Sequence, residues 1–342
     1  RGLLMVWLAV AVAHLAAPGN AGAGALSVQT GVVGPTPRIL AYNSGHFYPG
    51  SNTRDWWRYA GVNGVRIFMS PSKVEFSDDL PPVGDGVTSE AGFLARKAAL
   101  RADPLNTSYI NWPYFEDRYE TKDLYPNNHI RMNYTMGELR ALGVQICAQI
   151  TASENRLPIT DANDWGGKWE LWQHYYAQAF YLGREFDVEH YQMFNEPNHP
   201  NANGLTMENY LMRLQLASDA IQSALADVNT LYGKSLVPNI LAPVNSGGAT
   251  SGFNSGWGEM VVTNRHVNFL GQTDPNFWLI HTYDYHRYNA SPSTFGSDHA
   301  ALRGLLAAAM EPESPFLTSI SEFNVHTGAN FDDIPETMDD PV

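Results

Sequence analysis

Cysteine is nearly missing from this 342-residue chain, in which Cys147 stands alone. One thiol excludes a disulfide framework and any zinc site built on cysteines. Basic residues are scarce too. With 21 Lys and Arg against 35 Asp and Glu, the formal net charge is −14, the wrong sign for a general nucleic-acid binder, which must displace counterions from phosphates. Charged residues of both signs make up only 16% of the chain, against about 25% in an ordinary soluble protein. Internal repeats and low-complexity linkers are not found.

Apolar and aromatic residues fill the space that charge leaves. The chain is 44% hydrophobic and holds 9 Trp, 17 Tyr and 15 Phe, enough to bury a large core and to exclude disorder. The length fits two average domains or one large α/β barrel. At the N-terminus, Arg1 precedes the apolar run Leu3–Ala13 and the small-residue stretch Ala21-Gly22-Ala23-Gly24-Ala25. This pattern reads as a secretory signal peptide over residues 1–25, cleaved after Ala23 or Ala25. A transmembrane anchor would need about 20 apolar residues, and this run is shorter. The expected protein is therefore secreted, whether extracellular, periplasmic or at the cell surface, with no membrane contact after cleavage.

Seven β-type runs can be read: Arg38–Tyr42, Gly64–Met69, Val144–Thr151, His190–Asn195, Asn239–Pro243, Phe277–Tyr283 and Phe316–Phe323. Several are almost continuously apolar, as strands covered on both faces should be. Helix patterns fall between them at Thr53–Tyr59, Asn133–Leu142, Trp169–Arg184, Thr206–Leu231 and Asp298–Met310, with a weaker one at Gly258–Leu270. Thr206 is the expected N-cap of its helix, with Glu208 in the first turn. Leu211, Leu214, Ala217, Ala220, Ile221 and Leu225 recur there at core-facing spacing.

Such alternation implies a parallel sheet with right-handed crossovers, either doubly wound or closed as a barrel. After the first strand, Asn43-Ser44-Gly45-His46 offers no G-x-G-x-x-G fingerprint of a dinucleotide binder. Polar and aromatic residues crowd the C-terminal ends of the strands, where a barrel places its active site. The expectation is an α/β fold, a (β/α)8 TIM barrel over residues 26–342 that stops before strand eight. A long insertion, 71–131, follows strand two and carries Trp112, Tyr114, Phe115, Tyr119 and Tyr125. It either walls a cleft or packs a small core of its own.

Two of these strands end in glutamate. Strand four runs into Phe194-Asn195-Glu196-Pro197-Asn198-His199, and strand seven into Ser321-Glu322-Phe323-Asn324. Carboxylates at the mouths of two barrel strands face one cavity. Cleavage of a glycosidic bond with retention needs such a pair, one attacking the anomeric carbon and one protonating the leaving oxygen. Pro197 stops its strand sharply and presents Glu196 at a fixed turn.

The Asn195-Glu196-Pro197 tripeptide together with Glu322 resembles the large clan of retaining (β/α)8 glycoside hydrolases. Within the clan, Phe194–His199, Ser321-Glu322-Phe323-Asn324-Val325-His326-Thr327-Gly328 and Pro335-Glu336-Thr337-Met338 are most similar to glycoside hydrolase family 86, the β-agarases and β-porphyranases. The resemblance implies Glu196 as acid/base, Glu322 as nucleophile and Asn195 as the partner of the sugar 2-hydroxyl. It also implies Tyr283 as the tyrosine that steadies the nucleophile and Arg66 as the strand-two arginine beside it. The implied substrate is a galactan: agarose, cut internally at β-1,4 bonds, or sulfated porphyran. A β-xylosidase-like activity on plant polymers and an inactive carbohydrate-binding barrel are the alternatives.

Other residues at strand ends are candidates for sugar contact. His281, His199 and Asn324 are placed to bond hydroxyls. Trp165 and Trp257 lie in or near βα loops and suit stacking, whereas Trp169 and Trp172 read as helix core. His281, Asp284 and His286 hint at a metal, but near neighbours on a strand diverge. No metal and no cofactor is expected, and the oligomeric state is not legible.

Overall fold

The computed structural model describes residue 39 and residues 41–43, 52–69, 86–121, 132–150, 157–199, 205–248, 256–288, 292–309 and 317–324, with the side chains at 118, 121, 292, 293, 308, 309 and 322–324 left out. The expected signal peptide, much of the long insertion with Tyr125, and the motifs from Val325 onward lie outside the described residues.

The described strands form one all-parallel sheet whose spatial order is the chain order. They are β1 (Ala41–Asn43), β2 (Gly64–Met69), β3 (Gln145–Ile150), β4 (His190–Met193), β5 (Asn239–Asn245), β6 (Thr282–Tyr288) and β7 (Leu317–Asn324). Each crossover is helical. α1 (Thr53–Ala60) joins β1 to β2, and α2 (Glu90–Ala102), α3 (Trp112–Thr121) and α4 (Met132–Ala141) lie between β2 and β3. α5 (Trp165–Phe186), α6 (Met207–Tyr232), α7 (Trp257–Thr263) and α8 (Pro292–Ala309) follow one per crossover. A strand order that never reverses is the winding of a (β/α)8 barrel, whereas a doubly wound sheet switches direction partway. The fold is α/β of the barrel type, and β1 and β7 are the edges of the described sheet.

The helices follow their local chemistry. The Thr206 hydroxyl accepts from the Asn209 amide at 3.2 Å and starts α6, and Gly233, at φ 63°, ends it in the left-handed conformation. Leu214, Ala217, Ala220, Ile221 and Leu225 are all buried. α5 carries a ladder of rings, Trp169, Trp172, Tyr176 and Phe180, with successive centroids 5.5, 5.1 and 5.9 Å apart. The insertion packs onto this ladder. Phe93 of α2 meets Trp169 at 5.6 Å and Trp172 at 6.2 Å, and Trp112 of α3 lies 5.1 Å from Phe180. Trp112, Phe115 and Tyr119 are buried there. The described aromatic residues of the insertion thus thicken the outer helical layer and do not wall a cleft.

Strand six differs from expectation. The apolar run Phe277-Trp278-Leu279-Ile280 precedes the strand, which spans Thr282–Tyr288. Phe277, Leu279 and Ile280 are buried, but in an irregular segment tied to the α7–β6 connection by the Leu279 amide on the Arg265 carbonyl at 2.8 Å. An apolar run records burial and leaves conformation open. The shift moves every strand-six residue toward the opposite end of the sheet.

Candidate active site

The inner face of the sheet is polar. Arg66 on β2, buried, donates from Nε to Gln192 Oε1 on β4, from Nη1 to Asn43 Oδ1 on β1 at 3.3 Å, and from Nη2 to Asn195 Oδ1 at 2.8 Å. Gln192 in turn donates through Nε2 to Asp284 Oδ2 on β6. Asp284 also accepts from the Ser321 amide at 3.1 Å and the Ser321 hydroxyl at 2.7 Å, on β7. Five strands are thereby laced together by side-chain hydrogen bonds.

Above this layer the chain leaves β4 in a strained turn. Phe194 has φ 66° and Glu196 has φ 50°, both left-handed and neither glycine. Each costs on the order of 1–3 kcal/mol and persists only where its surroundings enforce it. Here Phe194 is fully buried with its ring 6.0 Å from that of Tyr210, Asn195 is held by Arg66, and the His199 amide closes the turn on the Glu196 carbonyl at 2.9 Å. Asn198 bonds both backbone groups of Ser246 in the loop after β5. Tyrosines from the helices serve the strand ends: the Tyr175 hydroxyl donates to the Ile150 carbonyl at 3.0 Å, and the Tyr210 hydroxyl to the Pro243 carbonyl at 3.1 Å.

The turn delivers Glu196 to β6. His286 Nδ1 lies 2.9 Å from Glu196 Oε1, and the imidazole is fully buried. A carboxylate only accepts, so Nδ1 carries the proton of this bond. The His286 hydrogen bond, then the His286 and His199 charges and a Ser246 side-chain hydrogen bond, outweigh partial burial and hold Glu196 below the usual carboxylate range. On β7, Glu322 pairs in register with His286, and Asn324 with Tyr288. The Glu322 and Asn324 side chains lie outside the described residues.

Four of the sequence candidates therefore converge: Asn195, Glu196, His199 and Arg66. Three others are corrected. His281 precedes β6 at its N-terminal end, where Nδ1 accepts from the Ile240 amide at 3.3 Å, and burial pushes it down to about 4. Tyr283, the second residue of β6, is buried against α7, so near Gly258 that a Cβ there would stand 2.2 Å from its hydroxyl. Trp257 is buried in the core with its ring 5.2 Å from Tyr210 and offers no stacking surface. Trp165 is half-buried at the start of α5, edge-on to Phe93 at 6.0 Å, with Lys168 Nζ 4.0 Å above its ring. Its described ring contacts are to the helical layer.

Sequence reasoning missed Asn198, Ser246 and Gln192, and weighed His286 only as a metal ligand. His286 becomes visible once β6 is placed by its alternation, with Tyr283 and Tyr285 flanking Asp284 and preceding His286. On β3, burial pushes the Cys147 thiol up to about 12, away from the thiolate form. Among the described residues, no group of three or more His, Cys, Asp or Glu side chains is arranged to hold a metal ion.

Fold and site define a chain of the (β/α)8-barrel type with a strained, hydrogen-bonded glutamate at the C-terminal end of its fourth strand. No protein-family model and no curated protein matches the chain. Among solved structures it is similar to a glucosidase from Croceicoccus marinus, with TM-score 0.48 and 14% identity over 87% of this chain and 62% of that one. It is also similar to a family 39 glycoside hydrolase from the gut symbiont Bacteroides cellulosilyticus WH2, with TM-score 0.33 and 11% identity over 78% of this chain and 52% of that one. The chain thus spans less than two thirds of the length of either.

Proposed function

We propose that this chain carries the catalytic site of a secreted, endo-acting, retaining glycoside hydrolase that cuts β-1,4 galactosidic bonds of agarose. The observation that supports it most is the Glu196 turn. A strained backbone at the C-terminal end of β4 holds a carboxylate against His286, and the neighbouring residue in register on β7 is a second glutamate, Glu322. Two carboxylates on non-adjacent strands of one barrel mouth are what double displacement requires.

In this reading Glu322 attacks the anomeric carbon while Glu196 gives a proton to the leaving oxygen. A glycosyl ester forms on Glu322, and Glu196, now ionised, takes a proton from the water that hydrolyses it. His286 and Ser246 favour the ionised state, which readies Glu196 for the second step and confines its protonated form to acid pH. Asn195, held by Arg66, stands beside the acid/base, where it would bond the 2-hydroxyl of the sugar being cleaved. Sulfated porphyran is the second substrate in this reading; the chain's net negative charge disfavours a polyanion only slightly.

The test incubates the chain with agarose, porphyran and xylan, alongside Glu196→Gln and Glu322→Gln, and follows product size and the anomer first released. Agarose fragments of retained configuration are expected from the parent chain alone. Fragments that persist in both variants would overturn the mechanism, and degradation of xylan only would overturn the galactan assignment.

A further inference from the structure

The loop after β5 is fixed more tightly than a surface connection needs. The Asn198 side chain behaves like a neighbouring strand toward Ser246: Nδ2 donates to the Ser246 carbonyl at 3.0 Å, and the Ser246 amide donates to Oδ1 at 2.8 Å. Both residues are buried. On its other side the loop is tied to β6, through the Gly248 amide on the His286 carbonyl at 3.0 Å and Arg287 Nη1 on the Gly247 carbonyl at 2.9 Å. Gly248, at φ 110°, leaves room for this: a Cβ would meet Arg287 Nη1 at 3.2 Å. The result is a serine, fixed beside Glu196, whose side chain is among the groups that hold the carboxylate below its usual range.

We propose that Asn198 and Ser246 form a positioning device for Glu196, in which the Ser246 hydroxyl is a second donor to the carboxylate and the Asn198 carboxamide fixes where that hydroxyl stands. The inference rests on Glu196 being the acid/base. One donor leaves a carboxylate free to swing about that bond, and two from different strands hold its plane. The two donors also differ in kind. One is an imidazole, with a second imidazole, His199, on the same turn, and the other is a hydroxyl. Serine stays neutral at every accessible pH, so its bond favours the anion whatever the histidines do. Arg66 of β2 donates to the turn at Asn195, and Glu322 of β7 is the ionisable residue in register with His286.

The test reads the titration of Glu196 directly, by NMR of carboxyl-labelled glutamate in the whole chain, with its signal assigned by its loss in Glu196→Gln. Ser246→Ala, a deletion of one oxygen, is expected to move that titration upward by roughly one pH unit. Asn198→Ala should move it in the same direction, and Ser246→Thr, which keeps a hydroxyl, should restore most of the parent value. In kcat/KM profiles the basic limb should follow the same order, a shift that a loss of folded protein does not produce. An unchanged Glu196 titration in Ser246→Ala would overturn the device, however well the parent hydrolyses agarose. An upward shift in a parent that cleaves no polysaccharide would support the device and sink the glycosidase reading on its own.

Discussion

His286 and Glu196 are ninety positions apart in sequence, and their side chains meet at 2.9 Å. The contact spans β4 and β6, which β5 separates, so it exists only because the sheet curves. It joins a fully buried imidazole to a strained residue, and neither is explained by packing alone.

His286→Leu is expected to lower stability at pH 7 by roughly 1–3 kcal/mol, the cost of stranding a partly buried acceptor. The effect depends on pH with a definite sign. Glu196 is held below its ordinary carboxylate range, so its contribution is complete above the unfolded value and disappears as pH falls through the folded one. Thermal melts of parent and variant should therefore differ at pH 7 and converge near pH 3. His286→Asn, whose amide can take the place of Nδ1–H, should recover part of the loss. A gap equally wide at both pH values would show that the bond is not its cause.

Arg66 tests whether the polar interior needs a fork of donors. Its guanidinium serves Asn43, Gln192 and Asn195 and also lies 4.5 Å from the Phe68 ring centroid. Lysine keeps the charge but offers one point where three acceptors wait. Arg66→Met should cost roughly 2–4 kcal/mol in urea unfolding and Arg66→Lys an appreciable share of that. If lysine were indistinguishable from arginine, charge and not geometry would organise this layer.

The strand–helix alternation was legible because covered parallel strands read as nearly continuous apolar runs, and β2, β3 and β5 fall within a residue or two of where that pattern puts them. Glu196 was legible because Asn-Glu-Pro at a strand end is a local signal. The other half of its site was not. His286, Ser246 and Asn198 reach Glu196 through turns and a sheet register that no local pattern encodes. The apolar segment Phe277–Ile280 looks more strand-like than Thr282–Tyr288, whose alternate residues face a polar interior. That misplacement sent Tyr283 and His281 to the wrong end of the strand, and tryptophan in a loop-like segment gave no warning that Trp257 is core.

Two histidines at the lower end of the sheet set a second pH window. His190 lies between the side-chain amides of Gln145 and Asn239, the latter 3.0 Å from Nδ1, and His281 accepts from the Ile240 amide. Burial pushes both down to about 4. Between pH 6.5 and 4 the unfolded chain binds protons that the folded chain refuses, so stability falls as pH falls through this range, by up to roughly 2–3 kcal/mol for each ring. Urea midpoints at pH 7, 5.5 and 4.5 should decline in the parent and flatten in His190→Gln and His281→Gln. Equal slopes in all three proteins would contradict the assignment.

The placement of Tyr283 can be decided by volume. Gly258 lies in the first turn of α7, and a Cβ added there would stand 2.2 Å from the Tyr283 hydroxyl and 3.1 Å from its Cζ. Tyr283 is fully buried and has no free direction in which to retreat. Gly258→Ala is therefore expected to destabilise by roughly 1–3 kcal/mol, although alanine is the better helix former by almost 1 kcal/mol. Tyr283→Phe removes the clashing oxygen and leaves the ring, so the double variant should be more stable than Gly258→Ala alone. A coupling of this sign places the tyrosine between β6 and α7, with its hydroxyl against Gly258 and hydrogen-bonded to the Asn245 side chain. Additive effects, or a Tyr283→Phe variant that loses hydrolysis without losing stability, would return Tyr283 to the active site.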